Sequence, residues 1–215
     1  MRTLTRELRD ALTPMMAIEV LRKGNERFVN NLKANRNLLQ QVNETSEGQH
    51  PLAIVLSCID SRTSAELIFD QGLGDIFSCR IAGNVLNGDI LGSMEFACKA
   101  AGAKAIVVIG HTRCGAIRGA CDGVKLGNLT SLLHKIEGAI EMETETIGDR
   151  TSNNAEFVER VAELNVMLVQ RQIVERSPTL AQMLENAEIA LVGGMYDVES
   201  GAVEFHGSRM PAGSS

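Results

Sequence analysis

Two short segments of the chain carry side chains that could hold a metal ion. Residues 58–62 (CIDSR) begin one residue after the apolar run Leu52–Leu56, with Ser57 between, and residues 111–115 (HTRCG) begin one residue after the run Ala105–Ile109, with Gly110 between. Because the carboxyl ends of parallel strands meet at one edge of a sheet, we expect the two segments to face each other there. Thiolate sulfur and imidazole nitrogen are the ligands zinc prefers, and catalytic zinc sites keep a fourth position open. The pattern therefore predicts a zinc site made of Cys58, His111 and Cys114.

Two further residues of the first segment could complete the chemistry of this site. In extended backbone, residues two apart point the same way, so Asp60 is expected on the side of Cys58, near the fourth position. Arg62 could then hold the Asp60 carboxylate in a bidentate ion pair. Either motif alone is also consistent with a simple turn and a surface ion pair. Their joint occurrence, each at the end of a buried strand, favours the metal site.

The elements that must position these residues have the pattern of an α/β protein. Apolar runs rich in Val and Ile, without polar alternation, predict strands covered on both faces: Leu52–Leu56, Ile76–Ile81, Ala105–Ile109 and Ile189–Val192. Helical spacing occurs between them, at about Ser93–Ala101 and Asn154–Glu175, with a break and a further short helix at Pro178. This alternation predicts a mainly parallel central sheet flanked by helices. Ala202–His206 could add an edge strand.

The N-terminal segment has a different character. Residues 1–35 are predicted to form a helical arm, with Thr13 as an N-cap, Pro14 at the first helical position, and Ile18, Leu21, Phe28 and Leu32 near one face. A polar stretch at 35–49 is predicted to be loop with some helix. We expect residues 36–215 to form a single α/β zinc-enzyme domain.

Composition excludes several classes of function. The 215 residues carry 21 basic and 27 acidic side chains, a net charge of −6, with no basic block that would attract nucleic acid. No apolar run reaches the roughly 20 residues of a membrane helix, and the N-terminus does not have the pattern of a secretory signal. Five cysteines, an odd number, argue against a disulfide framework and favour a reducing, cytoplasmic location. Cys79, Cys98 and Cys121 are expected to pack in the core.

Taken together, the motifs resemble those of the β-class carbonic anhydrases. That family pairs C-x-D-x-R with H-x-x-C, and both stand here, as CIDSR and HTRCG. Residues 80–84 (RIAGN) and 92–96 (GSMEF) are similar to two further family segments. The resemblance covers about Gln49 to Ala120.

The resemblance implies a lyase that catalyses zinc-dependent reversible hydration of carbon dioxide to bicarbonate and a proton. It implies zinc on Cys58, His111 and Cys114, a catalytic Asp60–Arg62 dyad, and a closed form in which Asp60 becomes the fourth ligand. It also implies a homodimer or dimer of dimers, with N-terminal helices packing on a partner subunit. Substrate contacts would come from Gln49 of the neighbouring subunit and from the apolar side chains of Phe77 and Ala82.

The chain departs from the family pattern at two positions. Phe96 stands where many members have tyrosine, which removes a hydroxyl. Val55 stands where a bicarbonate-regulated bacterial subgroup has tryptophan, so we predict that the regulatory pocket of that subgroup is absent or altered.

Other functions remain open from the sequence. A hydrolase of carbon disulfide or carbonyl sulfide could use the same scaffold, and a non-catalytic zinc-binding or redox-sensing protein could use the same cysteines. A nucleotide-binding domain is disfavoured, since no glycine-rich phosphate loop follows a strand.

Overall fold

A single mixed sheet organises the computed structural model, which describes residues 3–209 of the chain. Its strands are β1 (Ala53–Ser57), β2 (Ile76–Arg80), β3 (Ala105–His111), β4 (Ala190–Tyr196) and β5 (Val203–Arg209). They lie in the order β2-β1-β3-β4-β5. The first four run parallel, and β5 is antiparallel to β4. The predicted mainly parallel sheet and its added edge strand are thus confirmed.

Helices occupy the connections and both faces of the sheet. They are α1 (Arg6–Asp10), α2 (Pro14–Val29), α3 (Leu38–Glu44), α4 (Ala65–Ile68), α5 (Gly88–Glu95), α6 (Gly115–Cys121), α7 (Gly127–Leu133), α8 (Glu137–Met142), α9 (Ala155–Arg176) and α10 (Pro178–Glu185). Short 3₁₀ turns span Ala82–Asn84 and His134–Ile136, and a π-helical turn spans Phe96–Ala100.

The capping signals in the sequence act as predicted. The Thr13 side chain accepts a hydrogen bond from the Met16 N–H at 3.2 Å, and Pro14 begins α2. Pro178 likewise begins α10, after α9 ends at Arg176. The predicted helix at 93–101 corresponds to the end of α5 and the π-helical turn.

Burial divides the strands into a covered centre and a half-covered edge. Every residue of β1, β3 and β4 is buried. In β2, by contrast, Ser78 and Arg80 are exposed, so the prediction that this run is covered on both faces was wrong. The physical reason is position, because β2 lies at the edge of the sheet, with β1 as its one neighbouring strand.

Helix α2 packs on the sheet of its own chain. Ala17, Ile18 and Leu21 are fully buried against the face that carries Val55 and Val107. The helix ends at Val29, so Leu32 lies beyond it and is exposed rather than on the buried face. Packing of the N-terminal helices on a partner subunit, and a division of the chain at residue 35, stay predictions. Across residues 3–209, no helix combines the length and apolarity needed to cross a bilayer.

Candidate metal centre

Three buried side chains converge at the carboxyl ends of β1 and β3. Cys58 follows β1, His111 is the last residue of β3, and Cys114 is the N-cap residue of α6. Their possible ligand atoms all lie within 4.8 Å of one another. The two sulfur atoms are 4.0 Å apart. A tetrahedral zinc ion about 2.3 Å from each sulfur would separate them by roughly 3.8 Å, so the spacing fits one ion.

The imidazole of His111 is prepared as a ligand. Its Nδ1 lies 2.9 Å from the carbonyl oxygen of Thr112, which places the ring proton on Nδ1 and leaves a lone pair on Nε2. That Nε2 atom is buried and has no hydrogen-bond partner among the described residues. Thr112 is itself held, because its hydroxyl accepts from the Val198 N–H at 3.0 Å. Fixing the ring through its other nitrogen is a common feature of metal-bound histidines.

A constrained turn brings Cys114 back toward His111. Arg113 has a φ of +57°, in the left-handed region that non-glycine residues rarely adopt. Its backbone N–H donates to Oε1 of Glu159 on α9 at 2.8 Å. Cys114 then stands at the start of α6 as its N-cap residue.

The loop that carries Cys58 is fixed through its backbone. The Cys58 carbonyl accepts from Arg80 Nε and from the Thr63 hydroxyl, both at 3.0 Å. The Asp60 carbonyl accepts from the same two side chains. In addition, the Gly83 N–H points at the Cys58 sulfur at 3.4 Å. The backbone that carries the Cys58 sulfur and the Asp60 carboxylate is therefore held in one conformation.

The two thiols have opposite charge preferences. Contact with the Cys114 thiol, helped by His111 and by N–H donors of the loops, lowers the pKa of Cys58 to about 4. The Cys58 sulfur in turn raises the pKa of Cys114 above its usual value, and burial adds to this effect. Backbone N–H groups at the start of α6 lower the Cys114 pKa, but by less than these two causes raise it. A bound dication favours both thiolates.

Beside the three ligands stands the predicted carboxylate–guanidinium pair. Arg62 Nε donates to Asp60 Oδ1 at 2.9 Å and Nη2 donates to Oδ2 at 2.8 Å. Hydrogen bonds from Arg62 hold the pKa of the Asp60 carboxyl far below its usual range. The structure thus shows Asp60 paired with Arg62.

The predicted substrate residues fall into two places. Phe77 and Ala82 are half-buried beside the Cys58 loop, and the Phe77 ring meets the Phe96 ring edge-on at 6.2 Å. Gln49 instead lines a cavity of ≈ 680 Å³ between α1, the end of α3 and residues 100–102, which contains none of the three ligands. Within one chain, Gln49 is therefore not brought to the metal centre.

Several residues that shape the centre were not predicted. Thr63 and Arg80 hold the Cys58 loop. From α9, Glu159 reaches the turn between His111 and Cys114, and Asn165 reaches Gly83. Arg80 had a signal, since it begins the family-like segment at 80–84, but its contacts depend on the sheet. Of the remaining cysteines, Cys98 is buried in the core, and Cys79 and Cys121 pack against it half-buried.

Fold and site together define an α/β protein with a two-cysteine, one-histidine metal centre at the carboxyl edge of a parallel sheet. A family model for carbonic anhydrases matches residues 53–203. The chain belongs to the β-carbonic anhydrase family.

Individual relatives agree with this assignment. Carbonic anhydrase 2 of Mycobacterium tuberculosis is 33% identical over 195 residues, covering 87% of this chain and 90% of the relative. A carbonic anhydrase of Mycolicibacterium smegmatis is 34% identical over 194 residues, covering 89% and 93%. The solved structure of the β-carbonic anhydrase CcaA superposes with a TM-score of 0.69 at 26% identity, covering 90% of this chain and 94% of that one.

Proposed function

We propose that this chain is a carbonate dehydratase, a lyase that catalyses the reversible hydration of carbon dioxide, with zinc on Cys58, His111 and Cys114. The observation that carries the proposal is the buried Cys–His–Cys triangle beside an Asp60–Arg62 pair, in a member of the β-carbonic anhydrase family. When bound there, zinc supplies the Lewis acidity that makes water nucleophilic near neutral pH.

Asp60 is the residue we assign to orienting the nucleophile. With Arg62 holding its carboxylate, Asp60 stays ionised and can accept a hydrogen bond from the attacking oxygen. This acceptance would aim a lone pair at the carbon of CO₂. If the pair with Arg62 breaks, the same carboxylate becomes free to move to the fourth position, giving the inactive closed form.

An apolar pocket suits a nonpolar substrate. Phe77, its neighbour Phe96 and Ala82 would supply the walls on this chain. Gln49 would donate to the developing bicarbonate oxygen from a neighbouring subunit. Its distance from the ligands within one chain supports that assignment.

The surface next to the centre supports assembly with a second copy. Ile59, between Cys58 and Asp60, is 61% exposed, and Phe96 is 60% exposed. Contiguous apolar patches mark interfaces, and covering these two side chains with a second copy would remove their apolar surface from water. We therefore propose a homodimer, or a dimer of dimers, that completes each pocket and works in the cytoplasm.

Shared sites can be tested by mixing two inactive variants. Gln49→Ala removes the donated glutamine, and Cys58→Ala removes a ligand. A mixed dimer contains one intact site, so activity should return when the two variants are unfolded, mixed and refolded together. Failure to regain activity, with mixed dimers verified by mass spectrometry, would place Gln49 outside the neighbouring site.

The function itself is tested with zinc content and CO₂ hydration on one sample, from pH 6.5 to 9. We expect one zinc per chain and turnover that rises toward alkaline pH, because two thiolates reduce the charge of the ion. Asp60→Asn should keep zinc and lose roughly 100-fold or more in turnover. A zinc-loaded protein inactive toward CO₂ but active toward carbon disulfide or carbonyl sulfide would reject the proposal. Inactivity toward all three would favour a non-catalytic zinc protein.

A further inference from the structure

Helix α9 contacts two backbone segments that lie against the three candidate ligands. At its first turns, Glu159 accepts a hydrogen bond from the Arg113 N–H at 2.8 Å, between His111 and Cys114. Further along, the Asn165 side chain donates to the Gly83 carbonyl oxygen at 2.9 Å. We propose that Glu159 and Asn165 are positioning residues that set how tightly the centre holds its metal ion. The inference rests on the zinc site of the proposed function.

Glu159 acts on the turn between two ligands. Arg113 occupies a left-handed conformation that costs a non-glycine residue about 1 kcal/mol or more. The side-chain oxygen of Glu159 offsets this cost by accepting a hydrogen bond from the Arg113 N–H at 2.8 Å. Because His111 and Cys114 flank this turn, the bond fixes the distance between an imidazole and a thiol.

Asn165 acts on the third ligand through one intermediate residue. It is 1% exposed, and a buried amide is conformationally restricted. Its hydrogen bond fixes Gly83, whose N–H points at the Cys58 sulfur at 3.4 Å. Gly83 has a φ of +65°, and a Cβ added there would lie 2.9 Å from Ile136 Cδ1. With its carbonyl held by Asn165, Gly83 directs its N–H at the Cys58 sulfur, and this contact stabilises the negative charge of a Cys58 thiolate.

Between these two contacts, α9 packs directly on the strand that carries His111. A Cβ at Gly110 would lie 2.8 Å from Val166 Cγ2 and 3.5 Å from the Ala162 carbonyl oxygen. The helix backbone therefore lies close against β3, one residue before the ligand. Residues 159 and 165 are about 9 Å apart along the helix axis, so one rigid element spans the whole centre.

The anchoring of α9 explains why it can serve this purpose. Phe157, Val161 and Ile173 are fully buried in the main core cluster, which fixes the helix along most of its length. A ligand set held by rigid neighbours needs less reordering when the ion binds. Loss of such outer contacts typically weakens metal affinity by about 10- to 100-fold.

The test measures zinc release to excess EDTA from the zinc-loaded protein. We expect Glu159→Ala and Asn165→Ala to release zinc about tenfold faster than the wild type, or more. Glu159→Gln keeps an oxygen acceptor for the Arg113 N–H and should stay close to the wild-type rate. Gln170→Ala is the matched control, since it removes a buried amide of the same helix that lies against Gly193 rather than a ligand turn.

A spectroscopic measurement separates positioning from general loss of stability. Substitution with Co²⁺ gives sulfur-to-metal charge-transfer bands that report the cobalt–thiolate bonds. Asn165→Ala should change these bands, because Gly83 no longer holds its N–H on the Cys58 sulfur, whereas Gln170→Ala should leave them unchanged. If Asn165→Ala does not fold, Asn165→Leu removes the donor at nearly the same size and without a buried charge, and it should show the same changes.

Failure of this inference can be distinguished from failure of the proposed function. Wild-type release rates and unchanged cobalt bands in the Glu159→Ala and Asn165 variants would overturn the inference while leaving the zinc site intact. If Gln170→Ala speeds zinc release as much as the other variants do, the inference is also overturned, because removal of any buried side chain from α9 would then be enough. A wild-type chain that binds no zinc at Cys58 would overturn the proposed function itself, and this inference with it.

Discussion

The carboxylate of Asp60 and the guanidinium of Arg62 meet in two parallel hydrogen bonds of 2.9 and 2.8 Å. The Arg62 backbone N–H adds a third bond to the same carboxylate at 3.0 Å. The Arg62 side chain is 48% exposed, so solvent screens the pair and it adds little to stability. Its consequence is orientation, because a planar bidentate contact holds the carboxylate in one direction.

Removing the guanidinium should therefore affect turnover more than folding. We predict that Arg62→Ala lowers kcat/KM for CO₂ hydration about 10- to 100-fold, with zinc retained, because Asp60 loses its fixed direction. Stopped-flow hydration and metal content measure the two effects on one preparation. Arg171→Ala is the control, since it removes an exposed arginine paired with Glu175 on α9. Unchanged turnover in Arg62→Ala would reject the assigned role of Arg62.

The cysteines provide a second comparison within the chain. Cys58 and Cys98 are both buried, but only Cys58 belongs to the group that could hold a metal ion among the described residues. We predict that Cys58→Ala loses zinc, while Cys98→Ala keeps one zinc per chain and loses about 1 kcal/mol of stability from the removed sulfur. Metal analysis after gel filtration measures the first effect and urea denaturation the second. Full zinc occupancy in Cys58→Ala would contradict the ligand assignment.

The sequence was sufficient to predict the covered strands β1, β3 and β4 and the convergence of Cys58, His111 and Cys114 at one edge of the sheet. The apolar runs at β1, β3 and β4 favoured burial on both faces, which the structure confirms, and the ends of β1 and β3 place Cys58 and His111 at one edge. The C-x-D-x-R spacing also implied the Asp60–Arg62 contact, because both residues lie within one local turn. Local pattern is informative where the interacting residues are close in the chain.

Contacts between distant residues were outside the reach of this reasoning. Asn165 is 82 residues from Gly83, and Arg113 is 46 residues from Glu159. Neither helix periodicity nor residue type shows which backbone group a polar side chain will reach. The exposure of β2 was missed for a related reason, since an apolar run does not show that its strand lies at an edge.

The N-terminal segment supplies a prediction about pH. Asp70 has a nearly buried carboxylate that accepts hydrogen bonds from Arg27 Nε at 2.6 Å, from the Ala34 N–H at 3.1 Å and from Arg36. Burial alone would raise the pKa of Asp70, but the bonds from Arg27 and Arg36 outweigh it, and the pKa is lowered. Asp70 thus ties α2 and the segment after it to the turn that follows α4.

A lowered folded-state pKa means that the stabilisation is present above the unfolded pKa of about 3.9 and is lost as the pH falls through the folded value. We predict that Asp70→Asn lowers the free energy of unfolding by about 3 kcal/mol near pH 7, because two arginines lose their partner. The difference from wild type should shrink below pH 4, as urea denaturation at several pH values will show. Asp89→Asn, at an exposed position, should show no such difference. A pH-independent gap between Asp70→Asn and wild type would contradict the assigned cause.

Replacement of glycine by alanine should have opposite effects on stability at Gly110, where α9 approaches β3 closely, and at Gly92 in α5. At Gly110, a new Cβ would lie 2.7 Å from Met195 Sδ and 2.8 Å from Val166 Cγ2, so both side chains would have to shift within the packed space between α9 and the sheet. Gly110→Ala should therefore destabilise the protein by about 1–3 kcal/mol, and it should speed zinc release because His111 is the next residue. Gly92 lies in α5 with nothing within 4 Å of a new Cβ, so Gly92→Ala should instead stabilise the protein by about 0.5–1 kcal/mol. Thermal and urea denaturation of both variants provide the measurement, and a Gly110→Ala variant as stable as wild type would show that α9 does not press on the strand that carries the ligand.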